Sequence, residues 1–139
     1  MISFVVTGKP KALQRHRSTR RGIIYDPSKK DKQVMWQKIS KFKPKTPLKE
    51  QIYLKLIFYM PRPKYHYRTG KYKNQLKEQY VDVVYHCVKP DIDNLIKMVA
   101  DTIQGRKRMI LDDSQICMLQ AEKIYSKNPR TEVVIQEIT

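Results

Sequence analysis

The sequence feature that most restricts the fold is an amphipathic segment in the last third of the chain. Between Asp91 and Gly105 the apolar residues recur at the 3.6-residue spacing of a helix that buries one face. These residues are Ile92, Leu95, Ile96, Val99 and Ile103. Asp91 suits the N-cap, and Gly105 is typical of the position just after a helix C-terminus. The sequence therefore predicts a helix over residues 91–104 that packs on a core.

Acidic residues are concentrated in and after this helix, although the chain as a whole is strongly basic. The net charge is +16, yet five of the thirteen acidic residues fall within residues 89–113. They are Asp91, Asp93, Asp101, Asp112 and Asp113. Grouped carboxylates are costly unless a proton or a cation neutralises them. Oxygen ligands of this kind suit Mg²⁺ or Mn²⁺.

The spacing allows these carboxylates to meet. A helix over residues 91–104 is about 21 Å long, and the residues from there to 112 span at most about 26 Å when extended. We therefore expect Asp112 and Asp113 to return on a following strand beside Asp91 and Asp93, forming one site for a divalent cation.

Each part of the pattern also has an ordinary explanation. Asp91 serves equally well as a cap alone, and Asp93, Lys97 and Asp101 form an i,i+4 series typical of a solvated helix face. An EF-hand is excluded, because apolar residues stand where that loop needs a ligand and a glycine. The combination is more specific than its parts, since Lys97 lies one turn after Asp93, where it can stabilise charge on a phosphate.

The segment Lys-Pro-Asp-Ile-Asp-Asn-Leu-Ile-Lys at residues 89–97, followed by Asp101 and by Asp-Asp-Ser-Gln at residues 112–115, closely resembles the RusA family of Holliday junction resolvases. The resemblance extends more weakly to the amino-terminal strand with Gly8 and Pro10 and to the Arg-rich loop after it. It implies an α+β fold, with two principal helices packed on a mixed β-sheet, and an intertwined homodimer. It also implies Mg²⁺-dependent, symmetric cleavage of branched DNA in recombination and repair, by enzymes that prophages frequently carry.

The resemblance also assigns the site residues. Asp91, Asp93 and Asp113 match the metal-binding catalytic carboxylates, and Lys97 matches the active-site lysine. The connection between the helix and the Asp pair is slightly longer here than in the family, so Asp112 remains a candidate metal ligand beside Asp113.

Positive charge is concentrated near the amino terminus. Residues 1–45 contain thirteen Lys or Arg against two acidic residues. Within the basic arm, residues 9–22, we expect DNA-backbone contacts from Gln14, Arg15, His16, Arg17, Arg20 and Arg21. A solvated, flexible loop is the alternative for this arm.

A second basic segment, residues 61–80, shows no periodicity and is expected to be a mobile loop that DNA orders. Lys71 and Lys73 are its candidate DNA contacts. Its tyrosines at 65, 67 and 72 are suited either to stacking on unpaired bases or to local packing.

Other periodic segments complete the expected domain, a single unit over residues 1–139 whose catalytic part is 89–113. We expect strands at 2–7 and 51–59, a helix at 29–42 and a strand or extended lead-in at 81–88. Segments 114–125 and 131–138 are predicted to form a carboxy-terminal hairpin that braces Asp113.

Composition limits the function classes. The high positive charge favours nucleic acid as partner over a membrane or a small-molecule substrate. No apolar run reaches membrane-helix length and no signal peptide is visible, so a cytoplasmic location is expected. Cys87 and Cys117 are expected to be buried free thiols, and the histidines lack zinc-type spacing with them.

Two alternative functions stay open at this stage. One is a metal-dependent nuclease acting on flaps or forks with the same carboxylates. The other is a non-catalytic basic nucleic-acid-binding module, which would explain the positive charge but not the clustered acids.

Overall fold

The computed structural model describes all of residues 1–139 and has an α+β fold, with one four-stranded mixed sheet, a two-stranded hairpin and two α-helices. The strands are β1 (Ile2–Thr7), β2 (Arg17–Ser18), β3 (Ile24–Tyr25), β4 (Ile52–Met60), β5 (Ile116–Tyr125) and β6 (Arg130–Glu137). The helices are α1 (Lys29–Ile39) and α2 (Ile92–Ile103). Single turns of 3₁₀-helix occur at Ser40–Phe42, Lys64–His66, Gly70–Tyr72, Glu78–Tyr80 and Asp113–Gln115. Neither α-helix is long and apolar enough to cross a membrane.

Strand β4 is the central support of the domain. The sheet order is β1-β6-β4-β5, with β4 antiparallel to β6 and parallel to β5. Every second residue of β4 is buried: Ile52, Leu54, Leu56, Phe58 and Met60. Each such side chain contributes about 1.5–3 kcal/mol on burial. The alternating sequence pattern that predicts this strand therefore separates a buried face from a more exposed face.

Helix α2 follows its predicted pattern closely. Asp91 is its N-cap residue and the helix ends just before Gly105, whose φ of +144° is a conformation that L side chains rarely adopt. Leu95, Val99 and Ile103 lie in the same buried core cluster as the inner face of β4. The core thus fixes the orientation of α2 and of the acidic residues at its ends.

The carboxy-terminal hairpin prediction is wrong. Strands β5 and β6 are present but do not pair with each other, because β4 lies between them. The short turn that begins at Ser126 passes the end of β4, where the Ser126 amide donates to the Met60 carbonyl at 2.8 Å. Strand β4 therefore has a hydrogen-bonded neighbour on each side, and the two carboxy-terminal strands are those neighbours.

Two further expectations can be compared with the structure. Residues 81–88, expected as a strand or an extended lead-in, contain no strand beyond a single bridge between Tyr85 and Ile124. Cys87 and Cys117 are both free, as expected, but both are exposed rather than buried. The expectation of buried thiols is wrong because the two cysteines lie at the outer edge of the sheet, on and beside β5, where an apolar sequence does not guarantee burial.

Candidate active site

The first acidic pair lies at the amino end of α2, with both side chains exposed. Asp91 has the extended backbone of an N-cap residue, yet its carboxylate makes no capping hydrogen bond. Asp93, in the first turn, accepts a hydrogen bond from the Asn94 amide at 2.9 Å. Helix amino termini favour negative charge. The Asp91 carboxylate therefore sits where its charge is stabilised and remains open to a ligand.

The second acidic pair precedes β5 and is held in a single 3₁₀ turn. Asp112 caps this turn by accepting from the Ser114 amide at 3.4 Å. The Gln115 side-chain oxygen accepts from the amides of Leu111 and Asp112 at 2.8 and 2.9 Å. Because Asp112 is used as a cap, Asp113 is the freer ligand of the two.

Glutamine side chains anchor this turn to the rest of the domain. The Gln115 side-chain amide donates to the carbonyls of Leu48 and Glu50 at 3.0 and 2.9 Å. The Gln104 side-chain oxygen accepts from the Asp113 amide at 2.9 Å. These bonds connect the turn to the chain before β4 and to the residue that follows α2.

The two carboxylates of this pair affect each other's protonation. A hydrogen bond with Asp112, partial burial and the negative charges of Asp112 and Asp101 raise the pKa of Asp113. The same bond, with donation from Ser114, lowers the pKa of Asp112. Two carboxylates this close favour sharing a proton or a cation.

The expectation that the two pairs converge within one chain is wrong. Asp113 is bonded to Gln104, at the carboxyl end of α2, while Asp91 and Asp93 lie at the amino end. The twelve residues of α2 separate these ends by about 18 Å. No three His, Cys, Asp or Glu side chains come close enough together to hold a metal ion. The carboxylates are of the type that Mg²⁺ prefers, but a single chain does not gather them into one site.

Lys97 and Asp101 also differ from the i,i+4 series that their spacing suggests. Asp101 forms an ion pair with Lys32 of α1, at 3.5 Å, and Lys32 also bonds Asp26 at 2.7 Å. Lys97 is exposed and takes part in no ion pair of the chain. Asp101 thus helps to join the two helices, whereas the Lys97 ammonium is free to meet a phosphate.

Lys123 of β5 holds the segment that leads into α2. Its ammonium donates to the carbonyls of Val88 and Pro90 at 2.8 and 2.6 Å. The Lys89–Pro90 peptide in this segment is cis. The carboxyl end of β5 is therefore directly beside the residue that precedes Asp91, whereas the amino end of β5 follows Asp113.

The basic arm meets the amino end of α2. The Leu13 amide donates to the Asn94 carbonyl at 2.9 Å, and the Gln14 amide donates to the Ser28 hydroxyl at 2.8 Å. Beyond this point β2 and β3 form a hairpin rather than a loop without structure, and its tip carries Arg20 and Arg21.

The candidate DNA contacts of the arm are exposed: Gln14, Arg15, His16, Arg17, Arg20 and Arg21. None of their side chains takes part in an ion pair. A row of exposed basic side chains without ion-pair partners therefore begins beside Asp91 and Asp93.

The second basic segment contains more local structure than expected. It has three 3₁₀ turns and an antiparallel bridge between Tyr67 and Leu76. Lys71 and Lys73, at its tip, are exposed. Tyr72 stacks with the Arg68 guanidinium at 4.4 Å, which is local packing. The mobility of this segment remains a prediction.

Three residues in this region had no assigned role from sequence alone: Gln104, Gln115 and Lys123. Each positions the backbone next to an acidic residue through a side-chain hydrogen bond. Gln115 is the last residue of the Asp-Asp-Ser-Gln motif at residues 112–115, which is the one sequence signal available. Gln104 and Lys123 are identified only once the chain is folded.

Comparisons with known proteins identify the family of the chain. The family model for endodeoxyribonuclease RusA matches residues 7–136, nearly the whole chain. The uncharacterized protein YqaN of Bacillus subtilis (strain 168) is 33% identical over 143 residues, covering 99% of this chain and 97% of YqaN. A family match over this length establishes membership. The chain belongs to the RusA family of endodeoxyribonucleases.

Proposed function

We propose that this protein is a Holliday junction resolvase, a divalent-cation-dependent endonuclease that cleaves four-way DNA junctions during recombination and repair in the cytoplasm. The observation that carries the proposal is the meeting of the basic arm with the open acidic pair at the amino end of α2, through the Leu13–Asn94 hydrogen bond. A strand gripped by the arm would lie close to Asp91 and Asp93. Family membership supports the nuclease chemistry.

In the proposed site Asp91, Asp93 and Asp113 bind the cation, which we expect to be Mg²⁺, with Mn²⁺ able to replace it. Divalent cations held by carboxylates supply activated water and charge stabilisation in phosphodiester hydrolysis. Lys97, exposed one turn after Asp93, is proposed to stabilise charge on the phosphate. Asp112 contributes chiefly as the cap that shapes the turn.

We further propose that the working unit is a homodimer in which each site takes carboxylates from both chains. One chain holds its two acidic pairs at opposite ends of α2 and gathers no group of three ligands. Two copies related by a two-fold axis would each supply Asp112 and Asp113 to the Asp91 and Asp93 pair of the other copy. A dimer of this symmetry has two equivalent sites, which suits paired cuts across a junction of similar symmetry.

The positive charge is proposed to grip duplex backbones. Only three of the 29 Lys and Arg residues, Lys11, Lys32 and Arg130, form ion pairs within the chain. The exposed cations at the arm tip, Arg20 and Arg21, and Lys71 and Lys73 in the second basic segment form no ion pair and are available to phosphates. Phosphate contacts fix position and affinity, so the choice of junction over duplex must come from the arrangement of the two sites.

The test is cleavage of a labelled four-way junction, a flap, a fork and a linear duplex, with Mg²⁺ and with chelator. We expect paired nicks in the junction that require the cation. Asp113→Asn should abolish cleavage while retaining junction binding, because loss of a negative charge does not weaken docking on phosphates. Glu137→Gln, which removes one acid outside the site, is the matched control and should cleave normally.

Other outcomes would assign a different function. Equal or faster cleavage of flaps or forks would identify the alternative metal-dependent nuclease. Tight binding of every substrate without cleavage under any cation would identify a non-catalytic nucleic-acid-binding module.

A further inference from the structure

Three consecutive apolar residues are exposed on the β2–β3 hairpin, where the basic arm ends. Ile23 is 60% exposed, Ile24 is 74% exposed and Tyr25 is 44% exposed. Among the exposed large hydrophobic residues of the chain, only the terminal Met1 is more accessible than Ile24. Single exposed apolar residues are ordinary, but a run of them on one short hairpin indicates a contact surface.

Hydrogen bonds hold this apolar run in a defined turn. The Gly22 amide donates to the Thr19 carbonyl at 2.9 Å, and the Thr19 amide donates to the Ile23 carbonyl at 2.9 Å. The Ile23 amide also donates to the Thr19 hydroxyl at 3.2 Å. Beyond the turn, Ser18 pairs with Ile24. The isoleucines are therefore presented by a closed hairpin and not by a chain without local structure.

The hairpin contributes nothing to the core of the chain. Strands β2 and β3 pair only with each other and form a sheet separate from the four-stranded one. None of the three apolar side chains belongs to the core cluster or packs against it. These side chains are therefore available to a molecule that the hairpin binds.

The charge of the same hairpin identifies the kind of molecule. Residues 15–25 contain four arginines, Arg15, Arg17, Arg20 and Arg21, and no acidic residue. None of them takes part in an ion pair of the chain. They repel a second copy of this chain, whose net charge is +16, and attract a polyanion. Nucleic acid suits both the arginines and the isoleucines, because it offers phosphates outside and apolar base faces within.

The hairpin also starts beside the candidate active site, which favours DNA bound there as its partner. The arm is fixed to the amino end of α2 where the Leu13 amide donates to the Asn94 carbonyl at 2.9 Å. From Leu13 to Arg20 the chain spans at most about 25 Å, which corresponds to about seven base-pair steps of a duplex. The tip can therefore reach the branch point of a junction whose strand lies at the amino end of α2.

We propose that Ile23 and Ile24 form a wedge that inserts between bases at the branch point of a four-way junction and unstacks them. The inference rests on the proposed function, which it deepens. Isoleucine is one of the apolar residues that DNA-bending proteins insert between base steps. Consecutive side chains of an extended chain point to opposite sides, so each isoleucine would face a different one of two neighbouring bases. The arginines beside them hold the flanking phosphates.

The wedge gives the protein a preference for branched DNA that the arginines cannot supply. Phosphate contacts alone do not distinguish a junction from a duplex. In a continuous duplex the isoleucines would have to break the stacking of paired bases, which costs most where the bases are fully paired and least where they are not. The wedge therefore adds a second source of junction preference to the arrangement of the two sites.

The first experiment measures unstacking directly, without divalent cation and therefore without cleavage. A junction carries 2-aminopurine at the branch point, and this base fluoresces more strongly when it is unstacked. We expect the fluorescence to rise when native protein saturates the junction, and not to rise with the double variant Ile23→Ser and Ile24→Ser. The salt dependence of binding should be unchanged in this variant, because no charge is lost.

The matched control is the double variant Val5→Ser and Val34→Ser. It removes two aliphatic side chains that are 49% and 43% exposed, on β1 and α1, outside the hairpin. It should give the native rise in fluorescence. A rise retained without the isoleucines, or absent with native protein, would overturn the wedge. Loss of junction binding or a changed oligomeric state in the isoleucine variant would assign these side chains to another contact and overturn it as well.

The second experiment is rescue by DNA that is already open. The isoleucine variant should cleave a fully paired junction more slowly than native protein does. It should reach the native rate on a junction with mismatched bases at the branch point, because those bases need no wedge to separate them. An equal defect on both junctions would mean that the isoleucines only support the fold of the arm, and no defect on either would mean that they do not act on DNA.

The two experiments together separate this inference from the proposed function. If the isoleucines unstack the branch point but native protein cuts no junction in Mg²⁺, the wedge stands and the resolvase is refuted. If native protein resolves junctions and the isoleucine variant does so equally well without a change in fluorescence, the resolvase stands and the wedge is refuted.

Discussion

The side-chain oxygen of Gln104 accepts a hydrogen bond from the Asp113 amide at 2.9 Å. This bond ties Asp113, a candidate metal ligand, to the residue just after α2, one helix length from Asp91. Gln104 is thus a positioning residue for a carboxylate that its own chain does not complete into a metal site.

Replacing Gln104 with Ala should therefore impair catalysis rather than binding. Without this acceptor the 112–115 turn loses one of its anchors, and residues that orient metal-binding carboxylates typically contribute about 10–100-fold in activity. We expect a loss of that order in the single-turnover cleavage rate, an unchanged dissociation constant for a four-way junction, and a raised Mg²⁺ requirement. Gln136→Ala, an exposed glutamine on β6, is the control. Equal effects of the two substitutions on the cleavage rate would show that Gln104 does not position Asp113 for catalysis.

The hairpin tip offers a test of the basic arm. Arg20 and Arg21 are exposed and form no ion pairs, so each is available to neutralise a phosphate. Changing both to Gln should lower the slope of log affinity against log salt by about 0.9 for each lost phosphate contact. The double change Lys43→Gln and Lys45→Gln removes the same charge outside the arm and should alter the slope less. A slope equally changed by both pairs would mean that only net charge matters.

A buried histidine makes stability dependent on pH. His66 is stacked on Tyr80 with ring centroids 4.1 Å apart, and burial together with the nearby Arg62 and Lys77 cations lowers its pKa. The unfolded chain then binds the proton more tightly, so this contribution to stability is complete above about pH 6.5, the ordinary histidine value, and is lost as the pH falls below it. Burial lowers the pKa of His86 too, which adds a term of the same sign.

Thermal unfolding across this pH range provides the measurement. His66→Phe retains an aromatic ring on Tyr80 and should make the melting temperature fall less steeply with acid than in the native protein. His16→Gln, at an exposed position in the arm, should leave the slope unchanged. If the melting temperature of His66→Phe falls with acid as steeply as that of the native protein, His66 is not the source of this pH dependence.

Local sequence patterns predicted the elements in which the spacing of apolar residues determines the buried face. The apolar spacing from Ile92 to Ile103 and the alternation along β4 each determine one buried face, and both elements form as expected. The order of strands is not local information. Segments β5 and β6 are adjacent in sequence, but β4 lies between them in the sheet.

The sequence singled out candidate site residues but did not predict how far apart the structure holds them. Chain length gave only an upper limit on how far Asp113 could return, and the Gln104 and Gln115 side chains, rather than the distance to Asp91, decide where it stops. Asp101 similarly pairs with Lys32 of another helix instead of Lys97 on its own. Partners that are distant in sequence leave no periodic signal.

The central claim is that each active site combines Asp91 of one copy with Asp113 of the other. The most direct measurement is complementation between two inactive variants, Asp91→Asn and Asp113→Asn, each assayed alone and after mixing. Differently tagged copies that co-purify will confirm that mixed dimers have formed.

In a shared-site dimer each mixed pair has one site carrying both substitutions and one site carrying neither. We therefore predict that the mixture recovers Mg²⁺-dependent nicking of four-way junctions, although neither variant cleaves alone. If the mixed dimers form and remain as inactive as the separate variants, each site draws its carboxylates from a single chain and the account is wrong.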